Sequence, residues 1–395
     1  MDKKEFLKYY VVDRHGTDSM KWDTLNSKFG CKDLISMWIA DMEFRTCDEI
    51  INAMVARVRQ GVFGYSCVPD QYYAAYSGWM EERYGFPIRR EWVRFSTGCV
   101  TGIAWMLNAF TRPGDACLIL TPVYYPFHDV VLKNNRKLVT VDLAYDNGRF
   151  TLDFDAIERA IIKNKVRVFV QCSPHNPAGR VWTEDELDKL FHICEEHQVL
   201  IVSDEIHQDL VVGDKKFIPA AVVRNGAYRD RLITLSSASK TFNLASLLHS
   251  HIVITDEKLM ETYDRFAHAL NRTEMNVMGL TATMAGYTYG AEWLSMVLAV
   301  IRGNYTYLQR ELALAAPKII VCPLEGTYLA FLDLRRVMPA NEAAEFALHK
   351  CHLAVDYGEQ FGENFRGFIR LNLATDPKLV QQAVYNIIAA LKETI

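Results

Sequence analysis

The chain has 395 residues, too many for one simple core, and its 50% hydrophobic and 23% charged content is that of a soluble globular enzyme. A net charge of −4 argues against a nucleic-acid surface. No apolar run approaches the roughly 18–20 residues that cross a bilayer, so no membrane role is expected. The N-terminus has no apolar stretch behind its lysines, which argues against a signal peptide. Nine scattered cysteines without a C-x-x-C pair suggest reduced thiols in a cytoplasmic protein, with no metal site.

Residues 1–47 read as an irregular arm, within which Met37–Phe44 is apolar and aromatic around Asp41 and Glu43. A helix is predicted from Asp48 to about Gln60, with Ile50, Met54, Val55 and Val58 on one face. Phe63-Gly64-Tyr65-Ser66 reads as a turn, and residues 70–84 as a second helix. From about 93 to 255 the pattern alternates. Strands are expected at Ala116–Leu120, Lys137–Leu143, Val166–Cys172, Val199–Ser203, Arg231–Leu235 and His251–Ile254. The clearest helix is Thr183–Gln198, where Thr183 and Glu186 make a capping box before Leu187, Leu190, Phe191 and Cys194. This predicts an α/β fold: a mostly parallel sheet flanked by helices, forming a large domain over 48–290. A long helix over about 291–316 leads to strands Lys318–Cys322, Thr327–Leu334 and Gly367–Leu373, with helices near Asn341–Cys351 and Pro377–Glu393. With the arm, they make a small α+β domain of residues 1–47 and 291–395.

Ligands of open α/β sheets bind beyond the carboxyl ends of the strands. Three predicted strands end in polar clusters: Asn176-Pro177, Asp204-Glu205-Ile206-His207, and Ser237-Ala238-Ser239-Lys240. Singly, each has an ordinary reading as a turn, a helix cap or a solvated loop. Together they suit pyridoxal phosphate. Lys240 would hold the aldehyde and later act as base, Asp204 would keep the pyridinium nitrogen protonated, and Asn176 would bond the ring oxygen. The loop Gly98-Cys99-Val100, opening a helix, would take the phosphate with Ser237 and Ser239. Tyr124 after Ala116–Leu120 would cover the ring, unless it is a core tyrosine. Lys240, Asp204 and Tyr124 are the candidate catalytic residues. Arg370, a charge inside an apolar strand, would be costly without an anion and so suits a substrate carboxylate.

With Trp38–Phe44, Phe63–Ser66, Pro122-Val123-Tyr124, Ser203–His207, Ser239–Ala245 and Gly326–Leu329, the chain resembles class I/II aminotransferase-like, fold-type I pyridoxal phosphate enzymes. Within them it is most similar to the MalY/PatB-type cystathionine β-lyases (C–S lyases). The resemblance implies a homodimer in which Tyr65 reaches the partner's cofactor phosphate. It further implies that His207 supports the ring beside Asp204 and that the backbone at Ile39 and Ala40 lies against the substrate carboxylate. Three positions depart from the family pattern: Ser246 for glycine, Leu248 for arginine and Phe365 for glycine. The expected reaction is β-elimination from cystathionine or a related cysteine thioether, giving a thiol, pyruvate and ammonia. Transamination is the alternative, and a regulatory or interaction protein retaining the cofactor is a third.

Overall fold

The computed structural model describes residues 1–270 and 275–394. Its central sheet comprises β1 (Val93–Ser96), β2 (Ala116–Thr121), β3 (Lys137–Asp142), β4 (Val166–Cys172), β5 (Leu200–Asp204), β6 (Leu232–Ser236) and β7 (Ser250–Ile254). The order across the sheet is β1-β7-β6-β5-β4-β2-β3. Strand β7 is antiparallel to both neighbours, and the other pairs are parallel. Alternate residues of a strand face opposite layers. In β2, Cys117 and Ile119 join one core cluster while Leu118 and Leu120 join another. Burial on both faces is why these strands read as continuous apolar runs. Strand β1 escaped prediction because its four residues include two only partly buried ones.

A second, antiparallel sheet has the order β8-β9-β11-β10, from β8 (Ile320–Val321), β9 (Leu329–Asp333), β10 (Asp356–Tyr357) and β11 (Phe368–Asn372). Helices Ala291–Ala315 and Pro377–Thr394 pack together, and Asn304 of the first holds the Leu373 and Thr375 carbonyls just beyond β11.

Four expectations change. The arm is not irregular: Asp2 and Glu5 make a capping box for helix Lys3–Tyr10, followed by short helices Met20–Asp23 and Leu25–Phe29. Eight residues hold a helix poorly alone, and here Phe6 and Tyr10 pack on Trp293. On helix Asp48–Gln60 only Ile50 is buried, and Val55 and Val58 face outward. Residues 63–66 follow that helix without a turn. The helix expected near 341–351 is broken into 3₁₀, α and π turns. Thr183 and Glu186 do cap helix Glu184–Glu196. Among the described residues no helix is long and apolar enough to cross a membrane, and the nine cysteines are free.

Candidate active site

Because the strands bearing them run the same way, their following loops meet at one end of the sheet. There they line a cavity of about 260 Å³. Gly98, Cys99 and Val100 enter after β1, Tyr124 after β2, Asn176 after β4, Asp204 and His207 from β5, and Ser239 and Lys240 after β6. Gly98 precedes helix Cys99–Phe110, whose first-turn N–H groups lack intrahelical acceptors. Ala40 closes the cavity from the N-terminal side.

Lys240 lies in the four-residue helix Ala238–Thr241, and its Nζ donates to the Ala40 carbonyl at 2.5 Å. Among the described residues it forms no ion pair within 4.0 Å. Burial lowers its pKa to about 8; the Asp41 charge works against this and Arg370 reinforces it. Asp204 Oδ1 accepts from the Ile206 amide at 3.0 Å. Burial raises its carboxyl to about 7, against hydrogen bonds from Ile206 and Cys99 and the charge of Lys240. Burial also holds His207 well below the ordinary imidazole range, and among the described residues its Nδ1 has no partner. Tyr124 is pushed up to about 12 by burial above all. The Cys99 thiol is likewise raised by burial, so it is a poor nucleophile.

Arg370 is fully enclosed at mid-β11. Its Nη1 donates to Asn176 Oδ1 and its Nη2 to the Trp38 carbonyl, both at 2.9 Å. Nη2 also pairs with the carboxylate of Asp356, so the anion expected from substrate alone has a counterpart within the chain. Among the described residues the Nε has no partner.

The strap from Trp38 to Phe44 is irregular in backbone, and side chains from afar capture its carbonyls. Asn372 Nδ2 donates to Ile39 and Asp41 at 2.6 Å, and Asn243 Nδ2 to Met42 and Phe44 at 3.0 Å. The Ala40 carbonyl accepts from Tyr328 at 2.8 Å as well as from Lys240. Behind the strap, Lys21 pairs with Glu43 at 2.8 Å and Arg14 with Asp41 at 2.7 Å. Sequence reasoning assigned no role to Asn243, Asn372, Tyr328 or Asp356. Asn243 and Tyr328 stood in quoted motifs, and Asn372 two residues beyond Arg370, whereas Asp356 stood in none.

Four expected residues do not line the cavity of a single chain: Ile39 and Arg370, which lie beside Ala40 and Asn176, and Tyr65 and Ser237. Tyr65 is 98% exposed, at the edge of a surface groove that Arg57 and Met284 also line. Ser237 is buried behind the cavity rather than lining it. Its hydroxyl caps the Lys240 helix by accepting from the Ser239 amide at 3.1 Å and donates to the His249 carbonyl at 2.6 Å. Ser246 is exposed, and Leu248, half-exposed in the left-handed region, lines the cavity. Phe365 is buried, with its carbonyl close against Gly358.

Residues 32–387 match the class I and II aminotransferase family, and the chain belongs to it. The architecture is that of fold-type I pyridoxal phosphate enzymes. The chain is 34% identical to cystathionine β-lyase PatB of Bacillus subtilis, over 96% of this chain and 98% of PatB. It is 32% identical to protein MalY of Escherichia coli, over 97% and 98%. The crystal structure of cystalysin from Treponema denticola, which contains pyridoxal 5'-phosphate, superposes with a TM-score of 0.93 at 30% identity, covering 98% of both chains.

Proposed function

We propose that this protein is a pyridoxal-phosphate-dependent carbon–sulfur lyase that cleaves cystathionine or a related cysteine thioether to a thiol, pyruvate and ammonia. The observation that carries the reading is Lys240: an enclosed amine without a counter-ion, beside Asp204, Asn176 and a helix N-terminus, in a chain aligned nearly end to end with PatB.

The donor set suits the cofactor. Lys240 would hold its aldehyde, Asp204 its ring nitrogen with His207 alongside, and Asn176 its ring oxygen. Tyr124 would cover the ring. The first-turn N–H groups at Cys99 and Val100 would hold the phosphate with Ser239, while the Gly98 amide already donates to Ser250 Oγ at 3.1 Å. Pyridoxal phosphate, when bound, supplies an electron sink for the substrate's Cα. Arg370 would fix the substrate carboxylate, with Ile39 and Ala40 closing beside it. Once the substrate amine takes its place on the aldehyde, the freed Lys240 Nζ would remove the Cα proton, a step its lowered pKa favours near neutral pH, and the thiolate would leave from Cβ.

On this reading residues 48–290 form the large cofactor-binding part, and 1–47 with 291–395 form the small part that brings Ile39, Ala40 and Arg370. The protein would work as a homodimer. Val55, Val58, Val62, Phe63 and Tyr65 are all exposed in one chain, and a second copy would cover them and receive Tyr65 at its phosphate. Nine free cysteines fit a reducing, cytoplasmic setting.

The purified protein, given cystathionine and pyridoxal phosphate, should release pyruvate and a free thiol without any keto acid. Turnover that required a keto-acid acceptor would make it an aminotransferase instead.

A further inference from the structure

Asp209 is buried, and among the described residues no cation pairs with it. Three neutral donors converge on its carboxylate. Oδ1 accepts from Trp79 Nε1 at 2.9 Å and from the Tyr84 hydroxyl at 2.6 Å, and Oδ2 accepts from Thr241 Oγ1 at 2.7 Å. A carboxylate is purely an acceptor and can take all three, whereas an amide would turn one donor against another. Thr241 is the neighbour of Lys240 and is fully buried. Phe242, next along, packs edge-on against Trp79.

Leu210 does the matching work on the other side. Its carbonyl accepts from the Thr327 amide at 2.7 Å, and Thr327 sits at φ +69°, a backbone region that threonine rarely adopts. Thr327 precedes Tyr328, whose hydroxyl shares the Ala40 carbonyl with Lys240. Consecutive residues therefore hold the neighbours of both donors to that one carbonyl.

We propose that Asp209 is a positioning residue: through Thr241 it fixes the Lys240 helix against the loop that begins at Asp204. The inference rests on the pyridoxal phosphate reading of the site, in which the base must keep its place relative to the ring's acidic partner. Small misplacements of reacting groups are costly in rate.

The test compares Thr241→Val, which removes the hydroxyl but keeps the shape, with Thr241→Ser, which restores it. Each holoenzyme is read by kcat, by KM, and by the visible circular dichroism of bound pyridoxal phosphate. Thr241→Val should lower kcat about tenfold or more with KM little changed and alter the dichroic band, and Thr241→Ser should recover both. If Thr241→Val does not fold, Asp209→Asn carries the same expectation. Unchanged kcat and dichroism in the variant, beside a wild type that binds the cofactor, would overturn the positioning role alone. A wild type that binds no pyridoxal phosphate would overturn the reading of the site as well.

Discussion

Arg370 Nη1 donates to Asn176 Oδ1 at 2.9 Å, although 194 positions of sequence separate the two residues. The bond ties the second sheet to the loop after β4, and it orients a guanidinium that two further acceptors, the Trp38 carbonyl and Asp356, also hold. The Phe361 ring lies 4.8 Å from its carbon. Among the described residues its Nε has no partner.

Removing one member of the buried Arg370–Asp356 pair should cost far more than removing both. Arg370→Ala leaves a carboxylate buried and alone, a loss on the order of 3–5 kcal/mol. The double variant Arg370→Ala/Asp356→Ala should be less destabilised than the sum of the singles, as read by urea denaturation. Strict additivity would mean that the two side chains do not depend on each other. Arg370→Lys keeps the charge without the planar fork, so it should raise KM more than it lowers kcat.

Asp204 makes a prediction about pH in the cofactor-free protein. Its carboxyl titrates near 3.8 when unfolded and at about 7 when folded, burial being the main cause. Between those values the folded state keeps a proton that the unfolded state has lost. Stability from this group therefore falls as pH rises through that window, and the penalty is complete above about 7. The displacement corresponds to about 4 kcal/mol. Asp204→Asn should stabilise the cofactor-free protein more at pH 8 than at pH 5, and an equal effect at both would refute the account. With cofactor, the same variant should lose turnover, because an amide does not hold the ring nitrogen protonated.

Polar residues closing apolar runs made Lys240, Asp204 and Asn176 legible, since a parallel sheet gathers such ends in one place. Arg370 was legible as a charge in an apolar strand. Its partner Asp356 was not, because a two-residue strand carries no periodicity. Asn243, Asn372 and Tyr328 act on backbone carbonyls of a distant strap, and bonds of that kind leave no local pattern. The capping box at Asp2 and Glu5 was present to be read, but only packing on Trp293 makes so short a helix worth forming.

The two serines flanking Ala238 should part company on substitution. Ser239 lines the cavity, so Ser239→Ala should weaken pyridoxal phosphate binding with little change in folding stability. Ser237 holds the buried His249 carbonyl and caps the Lys240 helix. Ser237→Ala should cost about 1–3 kcal/mol of stability by leaving that carbonyl unsatisfied. Equilibrium dialysis with the cofactor and thermal unfolding separate the two, and the reverse assignment would show that Ser237 faces the ligand.

Tyr65 gives the sharpest test of the assembly. In one chain it is exposed and does not line the cavity that Lys240 lines, so the proposed contact with a cofactor would come from a second copy. Tyr65→Ala and Lys240→Ala should each be severely impaired when pure. Mixed and allowed to exchange subunits, they form hybrids in which one site has the lysine of the first variant and the tyrosine of the second. That site is chemically intact. Pyruvate release should therefore reappear on mixing and rise with the fraction of hybrid. If Tyr65 instead served its own chain, every site in the mixture would lack one of the two groups, and activity would not return.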